Sequence, residues 1–419
     1  MRWPTVEIGR ACLPTEQFDP SRIPDSYFRY VDIASINRSS KSITGAQRIL
    51  GNEAPSRARK VIHAGDVLVS TVRPNLNTVA IVPEHLDGEI ASTGFCVLRP
   101  NSNLLDGKYL FYKTVTTDFV SHLVARMKGA NYPAVTDGTV KNALIPLPSL
   151  SEQRRIVEIL DQADQLRKLR TDADKKAERI LPALFNKMFG DPAINPMGWD
   201  TGVLGDVILD AAYGTSERAC EMVTAGIPVL KMNNIEYWGR LNLRNLKYIE
   251  NGNGQLDRYL LKKGDILFNR TNSSDLVGKT GLWNCELERA VPASYLIRLR
   301  VDAAKAIPEY IWAYMNTPFM KQNLLNKARR AIGMANINAQ EVRSFPLMLP
   351  DIKEQERFSE KLVNIKALAP IREAASDKTQ ELFNLLLQRA FSGTLTASWR
   401  EAHMKELLVE MEQQAKYLS

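Results

Sequence analysis

"SLSEQRRIVEIL" fills Ser149–Leu160 and "DIKEQERFSEKL" fills Asp351–Leu362, so the second stretch starts 202 positions (149 to 351) after the first. The shared letters are few but fall at fixed places: a short polar residue first, then Glu152-Gln153 or Glu354-Gln355, then Arg155 or Arg357. The same offset holds without a gap to "NKMFG" against "QRAFSG", pairing Phe189 with Phe391. Upstream it drifts. "GDVLVS" at Gly65 matches "GDILFN" at Gly264, and Trp3 with Ile8-Gly9 matches Trp199 with Leu204-Gly205. A chain that repeats itself at this distance is a tandem duplication, and repeats of this kind organise a fold before any other signal does.

The back part of each copy reads as helix. Pro148 and Pro350 close the preceding segment, and Ser149 or Asp351 stands three residues before Glu152 or Glu354, the spacing of a capping box. Beyond it apolar residues recur with a period near 3.5. The seam is Ile156, Ile159/Leu160, Ala163, Leu166, Ala173, Ala177, Ile180 and Leu184 in copy one, and Phe358, Leu362, Ile365, Leu368, Ala375, Thr379, Leu382 and Leu386 in copy two. Arg170 and Arg372 interrupt the seams at matching places, as a polar register mark does in a coiled coil. Each helix packing on its own domain is the simpler reading; two seams of one length favour the helices pairing with each other. Pro182 predicts a break and Pro370 a kink.

The front parts differ. Short β-rich runs ("DVLVS", "VAIV", "FCVL"; "DILFN", "LIRLR"), many turns and a few helical patches ("KYLFYKTV", "EYIWAYMN") predict an α+β domain in each copy. The expected boundaries are 1–147 and 198–347 for the globular copies, with 148–197 and 348–419 as helical spacers. Charge follows the same division. Residues 1–147 hold 17 basic and 13 acidic side chains (+4), residues 198–347 hold 19 and 15 (+4), and the helical segments hold 9 and 8 (+1) and 10 and 11 (−1). Two basic modules on a neutral helical spacer suit a two-site polyanion binder. The total of 419 residues fits two or three domains. Four scattered cysteines without a CxxC, and a start without an apolar signal segment, lead to the expectation of a reduced, cytoplasmic protein without zinc or a membrane span.

Catalytic patterns are not singled out. A methyltransferase would need a glycine-rich cofactor loop and a proline-containing loop for a flipped base, and neither is written. "LVGKT" lacks the first glycine of a phosphate loop, since position 273 is Ser273. Two polar loops recur instead. One follows the "GD" run: "STVRPNLN" (Ser70–Asn77) and "NRTNSSDLVGK" (Asn269–Lys279). The other precedes the long helix: "ARMKGANYPAVT" (Ala125–Thr136) and "KARRAIGMANIN" (Lys327–Asn338). Arginine, lysine and asparagine in such loops read base edges or hold phosphates. The candidate DNA-binding residues are therefore Arg73, Asn75, Lys128 and Tyr132 in copy one, and Asn269, Arg270, Asn272, Lys279, Arg329, Arg330 and Asn336 in copy two.

With "IPLPSLSEQRRIVEILD" (Ile145–Asp161), "FNKMFGDP" (Phe185–Pro192), "GDILFNRTNSSDLVGKTGLW" (Gly264–Trp283) and "LLQRAFSGTLTASWR" (Leu386–Arg400), the chain resembles a specificity subunit of a type I restriction–modification enzyme over essentially its whole length. The resemblance implies two target recognition domains and two conserved helices that pair as an antiparallel coiled coil with pseudo-twofold symmetry. It implies no catalytic centre and no cofactor in this chain. S-adenosylmethionine, ATP and Mg would belong to partner subunits. The implied partners are double-stranded DNA, two modification (methyltransferase) subunits and restriction/translocase subunits. A spacer of about 30 residues measures roughly 45 Å, so the expected target is bipartite, two short blocks around an unspecified gap. A methyltransferase-only or type II-like system, or a coiled-coil assembly protein with no DNA role, are the alternatives.

Overall fold

The computed structural model describes residues 3–129, 131–221, 226–236, 239–250, 254–272, 277–328 and 335–418. It divides into two compact units, Met1–Thr171 with Ala375–Ser419, and Asp172–Ala374. Each unit combines one β-rich front part with segments of both long helices.

In the first unit a four-stranded antiparallel sheet runs Cys12–Leu13, Phe95–Pro100, Val67–Ser70, Val79–Ile81. A second sheet of Gln47–Leu50, Tyr27–Val31, Ile90–Ser92 and Ala58–Val61 completes the domain. In the second unit the matching sheet runs Ile208–Tyr213, Leu296–Val301, Ile266–Asn269, Thr280–Leu282. The expected β-rich runs are thus the strands of one sheet drawn twice, and the helical patches are Gly107–Val115 and Pro308–Met315.

The repeated Gly-Asp has one physical role in both copies. Gly65 and Gly264 take φ of 85° and 86°, a left-handed turn that glycine adopts without strain. The aspartate that follows is almost wholly buried. Asp66 accepts from the His63 amide and pairs with Arg99 at 3.0 Å; Asp265 accepts from the Lys262 amide and pairs with Arg300 at 2.8 Å. A buried carboxylate persists where charge-assisted bonds surround it.

The long helices run Leu150–Glu178 and Ile352–Ser392, with a short helix Ile180–Phe189 after the first. The expected break falls at Arg179, which puts Pro182 in a first turn, where its missing N–H costs no bond. Pro370 stands inside the second long helix. The helices pair antiparallel within the second unit: Asp174 meets Arg372 (3.1 Å), whereas Phe185 and Phe189 meet Phe358. In the first unit the Arg167 guanidinium lies 4.4 Å over the Phe383 ring. Arg372 also donates to the Asp174 carbonyl, so its place in the seam is filled by a cross-helix clamp.

Two expectations about the helices need correction. Along the expected seam the buried positions lie at the helix starts, at Ile156, Leu160, Ala163, Phe358 and Leu362; mid-seam, Leu166 and Leu368 remain 51% and 54% exposed. Two helices alone cover each other on one side only, so mid-seam residues away from a domain stay half wet. At the far ends the buried stripe shifts by one position, to Phe383, Leu387 and Ala390 rather than Leu382 and Leu386, because these turns pack on a domain core with Tyr109 and Tyr112. The capping box is also only half built. The Glu152 amide donates to Ser149 Oγ (3.3 Å), but the Glu152 carboxylate turns inward to Trp3 Nε1, Thr396 Oγ1 and Arg400 Nε. In copy two the Glu354 carboxylate pairs with Arg357 on the surface, and Asp351 contributes its carbonyl to the Glu354 amide.

The glutamine of the repeated Glu-Gln is fully buried in both copies. Gln153 accepts from the Asp106 amide and donates to the carbonyls of Leu104 and Pro148; Gln355 accepts from the Ile307 amide and donates to the carbonyl of Pro350. One side chain thereby ties the start of the long helix to the loop before it and to the start of the helix Gly107–Val115 or Pro308–Met315. This is why the glutamine recurs where neighbours drift.

Candidate nucleic-acid interface

The two loops that the sequence singles out separately are neighbours in each unit, held by the same backbone bonds. In the first unit Val135 N donates to Thr71 O (2.9 Å), Arg73 N donates to Pro133 O (2.7 Å), and Val72 bridges Ala134. In the second unit Ile337 N donates to Arg270 O (2.9 Å), and Thr271-Asn272 form a short ladder with Asn336-Ala335. Thr71 N and Arg270 N, at equivalent strand ends, donate to Gly94 O and Tyr295 O. A paired scaffold with unlike side chains on it is what two readers of different sequences require.

In the first unit this scaffold gathers all four candidates. Arg73 sits in a left-handed conformation (φ 48°), exposed, with its guanidinium 5.4 Å from the ring of Tyr132, which is 73% exposed. Asn75 is exposed in the turn Pro74–Leu76. Lys128 is exposed and pairs through its backbone with Ala134 in both directions, closing the loop around Gly129 at φ 103°. A residue outside the candidate set joins them: Lys41 donates its ammonium to the Asn77 carbonyl, bracing the turn, and burial pushes its pKa down to about 8, helped by the charges of Arg167 and Arg38.

The second unit sorts its candidates. Arg270 is half-buried with its guanidinium 4.8 Å over the Tyr213 ring. Asn336 is exposed and accepts from Thr271 Oγ1 (3.2 Å), and Asn272 holds its ladder position through its backbone. Asn269 is completely buried at the end of Ile266–Asn269, where its amide donates to Lys279 O, so its side chain belongs to the loop's interior. Lys279 is half-buried; its ammonium donates to the Met232 carbonyl (2.9 Å), and burial lowers its pKa. Arg329 and Arg330 lie outside the described residues. Tyr213 is the residue that sequence reasoning missed; it ends a strand far upstream of Arg270, and no local pattern links the two.

Among the described residues no group of three or more His, Cys, Asp or Glu side chains forms a metal site, and no helix is long and apolar enough to cross a membrane. What recurs on the two α+β domains is an arginine over a tyrosine ring beside the docked loops, both exposed on loops in the first unit, and in the second a half-buried Arg270 over the strand-end Tyr213.

The comparisons agree. The model of the type I restriction modification DNA specificity domain matches residues 29–179 and 196–374. The specificity subunit of the type I restriction enzyme EcoKI from Escherichia coli K12 is 25% identical over 343 residues, 76% of this chain and 72% of that one. The MjaVIII specificity subunit of Methanocaldococcus jannaschii is 24% identical over 318 residues, covering 71% and 73%. A solved chain from a study of complex assembly and conformational transition of the type I R-M system is 29% identical, with a TM-score of 0.58 over 94% of this chain and 98% of its own. The type I S subunit from M. genitalium, at 11% identity and a TM-score of 0.52, shares the fold. The chain belongs to the type I restriction–modification DNA specificity family. It is a specificity subunit, the DNA-recognition part of such a system rather than its catalytic part.

Proposed function

We propose that the chain reads a bipartite DNA target, one short block through each loop pair, and holds two methyltransferase subunits and restriction/translocase subunits on it. The observation that carries this reading is the duplicated docking of the loops: one backbone scaffold, two different sets of exposed side chains. Residues 1–147 and 198–347 are the readers, and 148–197 and 348–419 the spacers that set their separation. S-adenosylmethionine, ATP and Mg enter with the partner subunits. The complex works where the DNA is, in the cytoplasm. The test is an exchange of residues 198–347 for the corresponding segment of another specificity subunit, followed by methylome sequencing of the host. One block of the methylated site changes and the other stays. A single continuous site, or a change in both blocks, would overturn the reading.

A further inference from the structure

The two arginine–tyrosine pairs are built differently, and the difference assigns a role to Tyr213. In the first unit both partners sit on exposed loops, and Tyr132 is 73% exposed. In the second, Tyr213 ends the strand Ile208–Tyr213, whose register with Leu296–Val301 is fixed through Tyr213 opposite Ile297. Its hydroxyl accepts from the Ala339 amide (3.2 Å) at the start of the helix Ala339–Arg343, itself capped by Asn338. The ring is therefore held at both ends, by a strand and by a helix start. Arg270 is held equally firmly through its backbone, its amide to Tyr295 and its carbonyl from Ile337. Its guanidinium rests over that ring, and its buried Nε has no hydrogen-bond partner among the described residues. Stacking, rather than an ion pair, therefore orients the group. An arginine on an aromatic face keeps its fork of N–H donors in a preset plane at little entropic cost. Such a fork matches the O6 and N7 acceptors of guanine in the major groove.

The geometry points to Tyr213 as a positioning residue for sequence discrimination, which aligns Arg270 on one guanine of the block read by the second domain. This rests on the two-reader proposal above and goes beyond it by naming the residue pair and the base. In copy one the matching strand, Cys12–Leu13, is two residues long and stops opposite Arg99, so it does not extend to the place that Tyr213 holds opposite Ile297.

The test uses the complete complex with its methyltransferase partners and a panel of duplexes that vary each position of the wild-type site. For Tyr213→Ala, discrimination at one G·C pair of the second block falls by roughly tenfold or more, while the first block is read as before. Tyr213→Phe keeps the ring and with it the wild-type preference. Arg270→Lys keeps the charge and loses discrimination at the same base pair. If Tyr213→Ala weakened binding equally on every duplex, Tyr213 would be a structural support, and the assignment would be overturned; unchanged discrimination would overturn it too. A wild-type complex without a two-block preference would instead refute the two-reader proposal itself.

Discussion

A single glutamine decides how each helix meets its domain. Gln153, fully buried, makes three hydrogen bonds to backbone groups, and leaving buried donors and acceptors unpaired costs about 1–3 kcal/mol per group. Gln153→Ala is expected to destabilise the first unit by about 2–3 kcal/mol, seen as faster hydrogen exchange around residues 104–106 and 148–153 with residues 306–350 unaffected. Its duplicate was visible as a repeated letter pair; its burial was not, because the receiving carbonyls lie on loops that the pattern leaves blank. Glu152 shows the same limit. It and Glu354 look equivalent in the sequence, yet Glu152 meets an arginine 248 residues away, whereas Glu354 pairs on the surface with Arg357 of its own helix. Lys41 carries a pH signature. Its folded pKa of about 8 lies below the usual 10.5, so the folded chain sheds this proton first. Between those values the unfolded chain binds more protons, and stability from this group rises with pH; below 8 the desolvated ammonium bears its full cost. An NMR titration of the Lys41 side chain should find its midpoint near 8, and a midpoint near 10.5 would mean that the ammonium is solvated.

At the scale of the element, periodicity foretold that two long helices exist and pair, and the break at Arg179 lies three residues from the proline that announced it. Periodicity could not say where the seam is deep. Apolar residues at seam positions look alike in a sequence, whereas burial depends on what else covers the pair. Ile156, which is fully buried, should lose about 2–5 kcal/mol on truncation to alanine. Leu166 is half exposed and should lose under about 1 kcal/mol. Denaturant unfolding of both variants measures the contrast, and equal losses would mean that the mid-seam is covered as deeply as the helix starts.

At the scale of the molecule, the duplication and the β-rich runs of the main sheet were legible, because each is a short repeated pattern. The candidate interface was legible as two loops per copy; their docking was not, since it depends on bonds between segments some 60 residues apart, such as Val135 to Thr71. Nor was the closing of the first unit by the far end of the chain. Arg400 stacks on Trp3 (4.6 Å) while binding Glu152, Glu410 accepts from the Ser151 amide, and Gln414 donates to the Leu104 carbonyl. Removing residues 394–419 should therefore loosen residues 3–12 and 148–156, measured by protease sensitivity, and leave the second unit intact. The same closure sets a timetable on the ribosome. Asp172–Ala374 is one unbroken stretch and can fold as soon as it emerges, whereas the domain that is translated first must wait, with its Glu152 pocket open, until residues 375–414 have been made. The first domain made is the last one finished.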